Sequence, residues 1–163
     1  MTHLESLEKA IELRNQNKSS DAAKILKDLL FHSPNDPDLN YHMAWTCDSM
    51  GLESQAIPYY EYAIKSGLSG EDLRGAIIGL GSTLRCIGLY EESLKAFNLG
   101  LDKFPEDRAI KVFRSLTLYN LGHFGDSVSD LLVQLMETTS DRNLKTYEKA
   151  LLFYSDKLNE TWK

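Results

Sequence analysis

Histidines, cysteines and paired carboxylates are the side chains of this sequence that could bind a metal ion or carry out catalysis. The four histidines lie far apart, at His3, His32, His42 and His123. Metal sites and activated nucleophiles are usually encoded at short, characteristic spacings. Neither Cys-x-x-Cys nor His-Glu-x-x-His occurs, and a Gly-x-Ser-x-Gly or glycine-rich phosphate loop is also missing from the sequence. We therefore expect no catalytic residue, no metal site and no cofactor.

The remaining reactive groups have structural explanations. Glu91 and Glu92 could be a catalytic pair, but acids in the first turn of a helix are favoured by the helix dipole, and a helix is predicted to begin there. Cys47 and Cys86 are too few for a disulfide framework and fit a reducing compartment. We expect a cytoplasmic protein without enzymatic activity.

The charge balance bears on the class of partner. With 24 acidic and 18 basic side chains, the net charge is −6, and such a field repels a phosphate backbone. Tyr41, Trp45 and Tyr119 could stack on bases, but the acidic balance argues against this use. An apolar run near the ~20 residues needed to cross a bilayer is also missing. We expect neither nucleic acid nor a membrane as a partner.

The elements that position these side chains recur at a nearly constant interval. Turn-forming residues are found at Asn17, Gly51, Gly88 and Gly122, at spacings of 34, 37 and 34 residues. Four further columns keep this register: Ala10, Ala44, Gly81 and Ser115; Leu13, Cys47, Leu84 and Leu118; Ala22, Ala56, Ser93 and Ser127; Leu26, Tyr60, Phe97 and Leu131. Two closely crossing helices need small side chains where their backbones approach and large ones where gaps remain. Each unit is therefore predicted to be a helical hairpin.

The third unit carries the clearest family signature. Its residues Leu80-Gly81, Leu84, Gly88, Tyr90, Ser93, Phe97 and Pro105 closely resemble the tetratricopeptide repeat. The second unit matches slightly less well, and the terminal units are degenerate, with Lys9-Ala10 and Arg114-Ser115 where the family prefers Leu-Gly. The resemblance implies one all-α domain over 1–163, a right-handed α-α superhelix of about four hairpins at 3–36, 37–69, 74–107 and 108–139.

Two segments depart from the regular repeat. The spacing of 37 residues implies an insertion at 66–72, which lengthens a loop or adds a helical turn, and Ser69 to Asp72 resembles a helix N-cap. After the fourth unit, apolar residues recur at helical spacing at Leu144, Tyr147, Ala150, Leu151, Tyr154 and Leu158. They predict a capping helix over about 141–159, because a repeat array must cover the apolar side of its last hairpin. Docking of this helix on another molecule is the alternative.

The resemblance also implies where a partner would bind. Tetratricopeptide stacks bind ligands on the concave surface formed by the first helix of each hairpin. The corresponding residues here are Leu7, Ile11, Tyr41, Trp45, Asp48, Ile78, Ser82, Arg85, Val112, Leu116 and Tyr119. Family members that hold a chaperone's C-terminal carboxylate carry Lys and Asn at such positions. Leu7, Ile11, Tyr41 and Trp45 replace them, so a chaperone-tail clamp is disfavoured.

We therefore expect a non-catalytic interaction module whose groove binds a protein or peptide, either another protein or a second copy that forms a homodimer. Asp48 and Arg85 would orient the bound segment at the edge of the groove. A peptide-sensing regulatory protein is the alternative function. The groove residues could instead be covered within the chain, where the array curls tightly or the last helix folds back.

Overall fold

The computed structural model describes residues 2–163, so Met1 lies outside it. Within that range the regular structure consists of helices, and no strand is present. The helices are α1 (His3–Asn15), α2 (Ser19–His32), α3 (Pro37–Asp48), α4 (Glu53–Lys65), α5 (Gly70–Cys86), α6 (Tyr90–Lys103), α7 (Arg108–Asn120), α8 (Phe124–Thr138), α9 (Arg142–Thr146) and α10 (Glu148–Tyr154). The expected all-α fold class is confirmed.

The first eight helices form four consecutive hairpins. The main contacts lie within each hairpin or between successive hairpins, and the first helices also contact each other, as α3 contacts α5 and α5 contacts α7. The predicted turn column ends the first helix of every hairpin with a positive φ, between 61° at Asn17 and 84° at Gly88. This left-handed conformation stops a helix and reverses the chain.

The repeat columns form the core. Apart from the turn column, which is exposed, their members are buried except Leu13 and Leu131, which are half-buried. Two serines in the third column add buried hydrogen bonds that join the helices of a hairpin. The Oγ of Ser93 donates to the carbonyl oxygen of Gly81 at 2.7 Å, and the Oγ of Ser127 donates to that of Ser115 at 2.7 Å. Each hydroxyl at these close helix crossings therefore has a hydrogen-bond partner, which avoids the cost of burying an unpaired polar group.

The insertion between the second and third hairpins adds a helical turn. Helix α5 has 17 residues, whereas the other helices of the hairpins have between 12 and 15. Ser69 stands at the N-cap position, but its side chain makes no capping hydrogen bond. The extra turn extends α5, which lies in the middle of the array.

The C-terminal segment differs from the prediction of one helix over 141–159. It forms two short helices, α9 and α10, and the second ends at Tyr154. Tyr147 separates them because its φ of −103° and ψ of 9° depart from α-helical values. This bend lets α10 contact α8 of the last hairpin. Beyond α10, Trp162 contacts Phe153 and Tyr154.

Candidate partner-binding groove

A groove with a volume of about 500 Å³ opens in the middle of the array. Helices α3, α4, α5 and α7 supply its walls. Its lining residues are Tyr41, Trp45, Asp48, Ser49, Glu53, Tyr60, Gly75, Ile78, Gly79, Ser82, Thr83, Cys86 and Phe113. None of them belongs to the C-terminal segment, so the last helices leave this groove open.

Three aromatic rings form one wall of the groove. The ring centroid of Tyr41 lies 5.9 Å from that of Trp45 and 6.4 Å from that of Tyr60. Tyr41 and Tyr60 are buried, whereas 44% of the Trp45 surface remains exposed. Trp45 therefore presents apolar area to solvent beside two rings that are already fixed by the core.

The buried Arg14 of α1 supports this aromatic wall. Its guanidinium carbon lies 3.8 Å from the centroid of the Trp45 ring, a cation–π contact. Its Nη1 lies 3.3 Å from Nδ1 of His42, while its buried Nε has no hydrogen-bond partner among residues 2–163. Burial lowers the pKa of Arg14. Within residues 2–163 no carboxylate forms an ion pair with this guanidinium, and its stacking holds Trp45 in place.

Two glycines of α5 give the groove its depth. Gly75 and Gly79 face the aromatic wall one helical turn apart. A Cβ at Gly79 would lie 2.5 Å from Cζ of Tyr60, and one at Gly75 would meet the Tyr41 hydroxyl. Since a real Cβ does not approach so closely, larger residues at these positions would push the rings aside.

Asp48 lies inside the groove, where two hydroxyl groups fix its carboxylate. The hydroxyl of Tyr60 donates to Oδ2 at 2.8 Å, and that of Thr83 lies 2.9 Å from Oδ1 and 2.8 Å from Oδ2. Burial raises the pKa of Asp48, while the hydrogen bonds from Tyr60 and Thr83 oppose the rise. Burial and the nearby Asp48 carboxylate also raise the pKa of Tyr60. Tyr60 of α4 and Thr83 of α5 thus both bind the carboxylate that α3 supplies.

His42, behind the aromatic wall, makes stability depend on pH. Burial, and then the charge of Arg14, lowers the pKa of His42 to about 4, whereas an exposed histidine titrates near 6.5. Below about pH 6.5, His42 therefore takes up a proton in the unfolded chain. In the folded chain it stays neutral until the pH nears its lowered pKa of about 4. The free energy of unfolding should fall by roughly 1–3 kcal/mol as the pH drops from about 6.5 to about 4.

Urea denaturation across this pH range measures the effect. His42→Gln should remove that part of the decline, because no titratable ring remains in the site. The exposed His32→Gln is the matched control and should keep the parent's dependence. A His42→Gln curve parallel to the parent's would contradict the assignment.

The groove contains five of the eleven residues predicted from the sequence, namely Tyr41, Trp45, Asp48, Ile78 and Ser82. Leu7 and Ile11 are half-buried on α1, and Val112, Leu116 and Tyr119 lie on α7. Asp48 lies inside the groove rather than at its edge, and Nε of Arg85 donates to Oδ1 of Asn120 at 2.9 Å instead of facing the groove. Whether these side chains bind a partner stays a prediction.

Several lining residues were not predicted, above all Tyr60, Thr83 and the two glycines of α5. Tyr60 belongs to a column of large core residues, which predicts a buried ring. Its hydroxyl lies at the groove because it donates a hydrogen bond to Asp48. The sequence does contain a signal for Gly75 and Gly79, because two glycines four residues apart leave one face of a helix without side chains. No comparable feature of the sequence marks Thr83 or Phe113 as a groove residue.

No group of three or more His, Cys, Asp or Glu side chains in residues 2–163 has an arrangement that could hold a metal ion. Of the helices in the same range, none combines the length and apolar character that a membrane crossing requires.

The comparisons with known proteins agree with the repeat pattern. A family model described as "Tetratrico peptide repeat" matches residues 37–158. No curated protein matches the sequence.

Solved structures show the same fold at low identity. In the crystal structure of the APC/C hetero-tetramer Cut9–Hcn1, a chain 19% identical aligns with a TM-score of 0.75 over 94% of this chain and 30% of that chain. MamA from residue 41 to its end, from Desulfovibrio magneticus RS-1, is 13% identical and aligns with a TM-score of 0.69 over 98% of this chain and 97% of that chain. At these identities the likeness concerns the fold alone.

Proposed function

Because the chain belongs to the tetratricopeptide-repeat family, we propose that it is a non-catalytic interaction module that binds a polypeptide segment of a partner in the groove around Trp45. Proteins with this fold also take part in assemblies, since the Cut9–Hcn1 neighbour is a hetero-tetramer. The cytoplasm is the proposed compartment, because Cys47 and Cys86 are both free thiols.

The exposure of Trp45 carries the proposal. The residue is 44% exposed at an open groove, yet its ring is held by the Arg14 contact and the Tyr41 ring. A large aromatic side chain that is ordered before binding loses little conformational entropy on complex formation. Such residues are the usual hot spots of protein interfaces. The array offers no strand edge in residues 2–163, so recognition must come from side chains.

The segment could come from another protein or from a second copy of the chain, and we propose self-association as the first case to examine. In a homodimer, the groove of each copy would receive an apolar segment of the other. A peptide-sensing regulator remains the second candidate, in which the bound segment is a signal rather than a structural partner. A homodimer and a peptide-sensing regulator are distinguished by whether the purified protein self-associates.

Trp45→Ala is expected to weaken partner binding by about 2 kcal/mol or more, which is roughly a 30-fold loss of affinity. The measurement compares proteins captured from the source cells by the parent chain and by the variant, with affinities then measured for each captured protein. Trp162→Ala is the matched control, because it removes the other tryptophan, 58% exposed and outside the groove.

Sedimentation velocity over a concentration series tests the same substitution for self-association. A partner or dimer that is lost in Trp45→Ala and kept in Trp162→Ala supports the proposal. Equal binding by all three chains would place the interface elsewhere and contradict it.

A further inference from the structure

The charged groups of the groove have one sign. Asp48 and Glu53 line it, and no lysine or arginine is among its lining residues. Within residues 2–163, no nitrogen of a lysine, arginine or histidine side chain lies within 4.0 Å of either carboxylate. Nε of Arg85, the only cationic side chain among the residues predicted for the groove, donates to Asn120 instead. The two carboxylates of the groove lining therefore have no ion-pair partner within residues 2–163, and the guanidinium of Arg14 stacks on the Trp45 ring instead.

The carboxylate of Asp48 also retains unused hydrogen-bonding capacity. An ionised carboxylate offers about four acceptor positions, and the hydroxyls of Tyr60 and Thr83 can supply one proton each. Neither donor is charged. Burial raises the pKa of Asp48, and repulsion from Glu53 adds to the rise. A cationic donor would fill the remaining positions and offset this repulsion, which is the arrangement that makes a charge-assisted hydrogen bond strong.

We propose that the groove recognises a lysine or arginine side chain of the bound polypeptide, held by Asp48 and Glu53 with its apolar stem or neighbour packed on the Tyr41 and Trp45 rings. This inference rests on the proposed function and adds the chemistry of the segment. Long cationic side chains suit such a site because their methylene groups cover apolar surface while the charged end reaches a carboxylate. Because Arg14 already stacks on the Trp45 ring, the rings would contribute apolar packing for the stem, and the carboxylates would bind the cation.

Peptide selection on the full chain tests this proposal. Short random peptides displayed on phage are selected against the immobilised protein, and the expected consensus contains Lys or Arg next to an apolar or aromatic residue. One enriched peptide is then synthesised in two forms, the second with its cation replaced by methionine. Asp48→Asn should weaken binding of the cationic peptide by about 10- to 100-fold, the contribution of a hydrogen bond to a charged group.

The two peptides and two proteins form a double-mutant cycle. Replacing the cation by methionine should weaken peptide binding to the parent by the same factor as Asp48→Asn weakens binding of the cationic peptide. The same replacement should weaken binding to Asp48→Asn much less. Asparagine keeps an oxygen that can accept from Tyr60 and Thr83, and thermal unfolding checks that the fold survives. Glu53→Gln, at a half-exposed position at the start of α4, provides a second variant and should also weaken binding of the cationic peptide.

The outcomes separate this inference from the proposed function. Peptides that require Trp45 but carry no conserved cation would overturn the inference and leave the proposed function standing. Cationic peptides that bind equally to the parent and to Trp45→Ala would place the site elsewhere and overturn both. A selection that yields no binding peptide would also contradict both.

Discussion

Phe97→Ala is expected to lower the free energy of unfolding by about 3–5 kcal/mol, the cost of removing a large ring from a packed core. The ring has no exposed surface and stacks near Phe113, with centroids 6.3 Å apart. It also fills the space beside Gly81, where the two helices of the third hairpin cross. Truncation would leave a cavity between rigid helices that cannot collapse.

Equilibrium denaturation measures this loss, and Phe31→Ala is the control. Phe31 is 82% exposed, so its truncation removes few contacts and should change stability by no more than about 0.5 kcal/mol. If the two variants lost equal stability, the third hairpin would not be packed as described.

Gly81→Leu is expected to cost about 3 kcal/mol, because it forces atoms into a contact with no free space. A Cβ at this position would lie 2.5 Å from Cζ and 2.7 Å from Cε1 of Phe97. Relief would require the ring to leave its position or the helices to separate. The double variant Gly81→Leu with Phe97→Ala should lose less than the sum of its parts, since each change relieves the other.

The choice of control for Gly81 depends on the structure. Gly75 lies outside the repeat column, and the sequence predicts that leucine is better tolerated there, yet its Cβ would meet Tyr41. Gly125, a helical glycine of α8 with nothing within 4 Å of a Cβ, is the cleaner control. Gly125→Leu should be neutral or slightly stabilising, because leucine favours a helix over glycine. An equal loss in Gly81→Leu and Gly125→Leu would contradict the packing.

Repeat columns predict the core well because they report contacts within one hairpin. Ala44, Gly81 and Phe97 lie where the pattern places them, and Asn17 takes the left-handed conformation that glycine takes in the other units. These features depend on local crossing geometry, which the sequence repeats several times.

The groove is less predictable because it depends on how successive hairpins are rotated. Phe113 of α7 lines the groove in place of the predicted Val112, and no repeat column encodes this orientation of α7. The bend at Tyr147 likewise accompanies the contact of α10 with α8, which helical periodicity cannot predict.

The position of Asp48 shows the same limit. The sequence predicts Asp48 at the edge of the groove, but hydroxyls from α4 and α5 hold it inside. Its environment is set by Tyr60, twelve residues away, and by Thr83 of the next hairpin. The contact with Thr83 crosses a repeat boundary and therefore lies outside a repeat pattern.

The most direct test of the central claim follows the two tryptophan indole N–H signals in a proton–nitrogen correlation spectrum while a peptide selected on the chain is added. Trp45 and Trp162 are the only tryptophans, and Trp45→Phe and Trp162→Phe assign their signals. If the segment binds in the groove, the Trp45 signal should shift in proportion to occupancy while the Trp162 signal stays in place. Binding that moves the Trp162 signal alone, or neither signal, would contradict a peptide-binding groove at Trp45.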